Sequence, residues 1–259
     1  MSTTTRDTND TPSIAESIAV VQFRGEPERL QSLLLPPPLE PIGKGETAFA
    51  VIGDAIRSGC GQEHRRIPIK ATGFLEAAVG MPCRYEGERY VINPLLFLDR
   101  QTESFKNGLT RGIGSITKTK WHAACEGRRE ITPGDSVAGS ASHSNDTIFS
   151  LSMELKEQST KAALDDWVFD FVHYRHLSDP LADEAATSLI NDITLMELPS
   201  VSIESLWSGS ASLTFGDWKG GLLKDLVGEV KRGYHVTMGY QYAGERVLTG
   251  VDDWGGHIE

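Results

Sequence analysis

An α+β fold built mostly of antiparallel strands is predicted by three features of the sequence. Apolar and polar residues alternate in several runs, most clearly Thr147–Leu155 and Ser200–Phe215, and a period of two marks a half-buried strand. Turn signals separate the runs, at Glu86-Gly87-Glu88, Pro133-Gly134-Asp135 and Ala243-Gly244-Glu245. Helical spacing is confined to two short stretches, residues 26–34 and 217–227.

The chain has 259 residues, enough for one large domain with a proper core. No internal repeat or low-complexity linker divides it, so residues 14–251 read as one domain. Residues 1–13, polar and rich in Thr, Asp and Asn, read as a disordered tail, and residues 252–259 as a loose one. The net charge of −11 argues against a nucleic-acid or anionic-membrane partner. No apolar run has the length of a membrane span, and the N-terminus lacks the apolar core of a signal peptide. Cys60, Cys83 and Cys125 are few, odd in number and widely spaced, which suits reduced thiols and not a disulfide frame. A soluble cytoplasmic protein is the expectation.

In chain order, Ile18–Phe23 reads as a first strand. Glu26–Leu34 is a short helix with Pro27 near its start, and Leu35-Pro36-Pro37-Pro38-Leu39-Glu40-Pro41 stops it. Ala48–Ile52 resumes a strand. Ser58–Lys70 is a polar loop whose Glu63-His64-Arg65-Arg66 run reads as solvated charge. Gly73–Val79 leads through Arg84–Arg89 into Tyr90–Asp99, a hairpin turning at Glu86-Gly87-Glu88. Glu126–Ser144 reads as loop-rich. Thr147–Leu155 and Trp167–His176 are strands. His173 and His176 do not suggest a metal site, because an i, i+3 pair on a strand faces opposite sides and no third ligand presents itself. Ser200–Phe215 is a long strand, Asp217–Val227 a helix, and Tyr234–Thr249 a final hairpin.

The chemistry concentrates at Arg111-Gly112-Ile113-Gly114-Ser115-Ile116-Thr117-Lys118-Thr119-Lys120-Trp121. On an extended segment Lys118 and Lys120 point to one face. Two ammonium groups there repel, so one loses its proton more readily. An uncharged lysine attacks ketones and forms a Schiff base. At a pKa of about 10.4 only roughly one free lysine in two thousand is uncharged at neutral pH, so such activation matters. The competing reading is a solvated turn with two surface lysines.

The order of motifs resembles the acetoacetate decarboxylase family. It is carried by Leu35-Pro36-Pro37-Pro38-Leu39-Glu40 after a strand and short helix, by Phe97-Leu98-Asp99 before the lysine loop, by Arg111 and Gly114 ahead of Lys118, and by Trp207, Gly209, Leu213 and Phe215. The resemblance spans about residues 18–250. It implies a closed, cone-like sheet around the lysine, with Lys118 as the Schiff-base residue and Glu76 as an acid/base beside it. Lys120 and Arg111 are then the cations that tune the amine or hold a substrate carboxylate, and Ile116, Phe97 and Trp121 line the pocket. No metal or cofactor is implied, because the protonated imine is itself the electron sink.

The chain departs from the family pattern in places. Thr117 and Thr119 stand where a proline and a second lysine are usual, Ser17 stands at an arginine position, and Ala50 or Val51 near another glutamate position. The expectation is therefore a Schiff-base lyase acting on a keto acid other than acetoacetate. Decarboxylation of a β-keto acid leads. Aldol condensation and dehydration of pyruvate or a related keto acid with an aldehyde is the alternative, and a non-catalytic binder reusing the fold is the third reading. By resemblance the protein is expected to be a homo-oligomer.

Overall fold

The computed structural model describes residues 13–58, 72–100, 112–119, 131–161, 170–177 and 190–251. The predicted N-terminal tail up to residue 12, the C-terminal tail, the 63–66 charge run, Cys60, Cys125, Arg111, Lys120, Trp121 and the 167–169 part of one predicted strand lie outside them.

The strands are β1 (Ser13–Arg24), β2 (Glu40–Pro41), β3 (Thr47–Ser58), β4 (Thr72–Tyr85), β5 (Glu88–Leu98), β6 (Gly112–Ile113) and β7 (Ser115–Thr119). They continue with β8 (Ser136–His143), β9 (Asp146–Gln158), β10 (Phe171–Leu177), β11 (Ile190–Glu197), β12 (Ser200–Phe215), β13 (Glu229–Gln241) and β14 (Gly244–Gly250). Their order in one sheet is β14-β11-β10-β5-β4-β3-β1-β13-β12-β9-β8-β7, with β2 on β4 and β6 on β5. All pairs are antiparallel except β10–β5 and β6–β5. The order has two ends, β14 and β7, and no ladder joins them among the described residues. β6 nevertheless sets the start of β7 against the end of β5, where the Gly114 amide donates to the Leu98 carbonyl.

The central strands are apolar on both faces because both are covered. On one face Ala19, Val21, Phe23, Ala50, Ile52, Ala77, Val79 and Phe97 join Ile116, Val137, Ala141 and Phe149 in the larger core. On the other, Ile18, Val20, Phe49, Val51, Ala78 and Leu96 pack with Val236 and Met238. Helix α1 (Pro27–Leu34) adds Leu30 and Leu34 to the larger core and is capped by the Glu26 carboxylate, which accepts from the Glu28 and Arg29 amides.

Several expectations change. Residues 126–144 are not loop throughout, since 136–143 form β8, hidden in sequence by its Ser, Ala and Gly content. Residues 217–227 are not one helix. A four-residue turn, α2 (Trp218–Gly221), is followed by a 3-10 turn at 224–226, because Lys219, Gly220 and Gly221 have φ of 47°, 70° and 84°. The final strands neither turn at 242–243 nor form a hairpin: β14 runs on from β13 in the same register, with Gln241 opposite Ser200 and Gly244 opposite Glu197. β13 already has β1 and β12 on its two edges, so β14 pairs with β11 instead. The turn at 86–87 forms as expected, with φ of 51° at Glu86 and 87° at Gly87, a pairing of signs suited to a tight hairpin.

Candidate active site

Lys118 lies on β7, two residues after buried Ile116 and on the same face, toward the larger core. Its Nζ donates to Asp54 Oδ2 in an ion pair. Asp54 follows Ile52 on β3 with the same parity. β3 and β7 are not neighbours in the sheet, so this pair spans the interior between two parts of it. Gly139, opposite Lys118 on β8, allows the approach. A Cβ there would stand 2.7 Å from the Thr117 carbonyl oxygen and 2.8 Å from Ile52 Cδ1. Asp54 is buried, while Lys118 keeps 30% of its side chain exposed, so the amine is open to a small solute and the carboxylate is sheltered.

Glu76 is not brought to Lys118. Gly53 pairs with Glu76 and Asp54 pairs with Leu75, so the pleat sends Glu76 to the opposite face of the sheet and puts Leu75 on the lysine's side. Phe97 is a core residue, 1% exposed, with its ring edge-on to Trp218 at 5.4 Å. Ile116 is likewise core. Asp54 is the residue that sequence reasoning missed. Its signal was a carboxylate inside the apolar run Ala48–Ile56, where an unpaired charge is costly.

On the other face, Glu76 meets Glu16 of β1. Gly53 makes the room, since a Cβ there would lie 2.7 Å from Glu76 Cγ and 2.9 Å from Glu16 Oε1. The two carboxyls are hydrogen-bonded, and Tyr240 of β13 donates to Glu16. Burial, together with the neighbouring Glu76 carboxylate, pushes Glu16 well above the ordinary carboxylate range, and burial also raises Glu76. Both shifts favour the protonated acid over the carboxylate in this pair.

They border a small chamber of about 50 Å³ whose other polar walls are Tyr240, His173 and Asn93. Burial lowers His173 to about 4, so its ring is neutral. Among the described residues both its nitrogens, and Asn93 Oδ1, have no hydrogen-bond partner. A larger, open groove of about 560 Å³ over β8, β9 and β12 is lined by small serines and alanines and has no acid/base partner for its one carboxylate, Glu154. Among the described residues no three His, Cys, Asp or Glu side chains converge as metal ligands, and no helix is long and apolar enough to cross a membrane.

Residues 1–251 match the model of the family described as acetoacetate decarboxylase (ADC). Among solved structures, the chain is similar to an acetoacetate decarboxylase-like enzyme from Sphingomonas wittichii RW1, with 18% identity and a TM-score of 0.77 over 95% of each chain. It is similar to the enduracididine biosynthesis enzyme MppR complexed with pyruvate, with 21% identity and a TM-score of 0.74 over 96% of this chain and 94% of that one. It is also similar to acetoacetate decarboxylase from Legionella pneumophila, with 14% identity and a TM-score of 0.68 over 96% and 93%. At these identities the likeness establishes the fold. No curated protein matches the sequence.

Proposed function

The chain belongs to the acetoacetate decarboxylase family, and from that premise we propose that it is a lyase in which Lys118 captures a small keto acid as a protonated imine. The observation that carries this reading is the Lys118–Asp54 pair, an amine and a carboxylate facing each other across the sheet interior. In this reading β7, held at β5 through β6, completes a cone-like wall around that pair.

Asp54 takes one proton from the ammonium, freeing the amine's electron pair to attack the ketone carbon. That proton goes to the ketone oxygen as the C–N bond forms, and a second proton passes from the nitrogen to the same oxygen through Asp54. The oxygen leaves as water, while the nitrogen keeps one proton and the positive charge as iminium. Two routes lead on. A β-carboxylate leaves as carbon dioxide, its bonding pair moving toward the iminium. Alternatively a proton leaves the neighbouring carbon, and the enamine attacks an aldehyde before water is lost.

The first route needs only the electron sink. The second also needs a base beside the imine, and Asp54 occupies that place. The presence of this carboxylate beside the amine favours the aldol–dehydration route over decarboxylation. MppR has been solved with pyruvate and with the condensation product of pyruvate and imidazole 4-carboxaldehyde, which is the same class of reaction.

The test is reductive trapping. The protein is incubated with pyruvate or acetoacetate, treated with borohydride and weighed intact. One reduced adduct is expected, absent in Lys118→Ala. Asp54→Asn is expected to slow adduct formation by about 10²–10⁴-fold, the range typical of a lost general base. An adduct that persists without Lys118, or no adduct with any keto acid, removes the reading. Pyruvate plus an aldehyde, followed by product absorbance, separates the aldol route from carbon dioxide release.

A further inference from the structure

The chamber on the face opposite Lys118 is unused by the imine chemistry. It combines features that a purely structural core does not need. Two carboxyls, Glu16 and Glu76, meet in it over the vacant side of Gly53. His173 is 6% exposed and leaves both ring nitrogens unpartnered, and Asn93, 9% exposed, leaves Oδ1 unpartnered. Buried polar atoms are nearly always hydrogen-bonded, so three orphaned atoms around one cavity mark a place for something that bonds to them.

The chemistry of that occupant follows from the walls. Among the described residues no lysine or arginine lines the chamber, so the carboxyls face no fixed cation from them. Asn93 Oδ1, one nitrogen of neutral His173 and the carboxylate oxygens are all acceptors. The ligand must therefore bring donors and positive charge. The remaining walls, including Phe171, Met196 and Met238, are apolar and soft, which suits a short hydrocarbon stem. A primary ammonium group on a small carbon chain meets each requirement. Its three N–H groups suit the carboxyl pair, Asn93 Oδ1 and the acceptor nitrogen of His173. Glu76 and Tyr240 are only partly buried, and they mark the side from which it enters.

We propose that this chamber, formed by Glu16, Glu76, Asn93, His173 and Tyr240 on the face opposite Lys118, is a binding site for a small primary ammonium ligand. The inference stands apart from the imine reading, and its test keeps the two separate. The full chain is titrated with methylammonium chloride near neutral pH, with sodium chloride and tetramethylammonium chloride as controls at equal ionic strength, and thermal unfolding is followed. Methylammonium is expected to raise Tm saturably by about 2–4 °C. Sodium, and tetramethylammonium with no N–H to donate, are expected to leave Tm unchanged.

Glu76→Gln is expected to abolish the response. Should that variant not fold, His173→Leu, which only removes unpartnered nitrogens, is expected to weaken it at least several-fold. Lys118→Ala is expected to retain it in full. No response in the wild-type chain, an equal response to tetramethylammonium or sodium, or an undiminished response in Glu76→Gln would each overturn the site. Loss of the response in Lys118→Ala would overturn its independence and assign any ammonium effect to the lysine's side of the sheet.

Discussion

Glu16 and His173 border the same chamber and titrate in opposite senses. Glu16 is raised in the folded chain from an ordinary 4.5 by burial and by Glu76. Its contribution to stability is complete below 4.5 and is lost as pH rises through the raised value. His173 is lowered from 6.5 to about 4 by burial, so its contribution is complete above 6.5 and is lost as pH falls through about 4. Thermal unfolding across pH 4 to 9 separates them. The wild-type chain is expected to lose stability as pH rises above 4.5, and Glu16→Gln to flatten that fall. His173→Leu is expected to remove a stability loss of about 3 kcal/mol on the acid side. Variant curves running parallel to wild type would show that neither group controls the slope. At this scale the sequence marks Lys118 through its loop, but not Asp54, because pairing across an interior joins residues 64 positions apart. The family resemblance put Glu76 beside Lys118, whereas the register puts it on the far face, since a one-residue step in the pleat reverses a side chain.

Two glycines decide how closely the strands approach, and they do so on opposite faces of the sheet. Gly53 makes room for the carboxyl pair, and Gly139 lets β8 lie against Ile52 of β3. Gly139→Ala places a Cβ 2.7 Å from a backbone oxygen that cannot swing away. A destabilisation of about 1–3 kcal/mol is expected in chemical denaturation. The slower trapping of keto acid at Lys118 should accompany it, because the strain parts the strands that carry Lys118 and Asp54. A variant as stable as wild type would mean that β8 yields without cost. The strands with clean alternation, β9 and β12, were readable because one face of each is wet. β8 was not, because its small residues carry little strand preference. The 217–227 segment misled through Leu222, Leu223, Leu226 and Val227, whose spacing suits a helix that Gly220 and Gly221 interrupt.

Across the whole molecule, the sheet is stitched between its chain ends. β1, residues 13–24, lies between β3 and β13, and β13 ends at residue 241. Sequence reading assigns strands from local pattern, and pattern says nothing about which distant edge a strand meets. It therefore joined β13 to β14 as neighbours, while the two edges of β13 were already occupied. This topology sets an order of opening. Among the described residues β14 is held on one edge only, by β11, and lies at one end of the sheet. β1 is held on both edges and is apolar on both faces through Ile18, Ala19, Val20 and Val21. Opening β14 breaks one ladder, whereas opening β1 breaks two and exposes both cores. Hydrogen exchange read by mass spectrometry is therefore expected to label Gly244–Gly250 through local fluctuation, early and with little dependence on denaturant. Ser13–Arg24 and Glu229–Gln241 are expected to exchange only with global unfolding, and to share one denaturant slope. Exchange of β1 ahead of β14 would contradict the strand order itself, because no set of local motions frees a doubly paired central strand before a singly paired end strand.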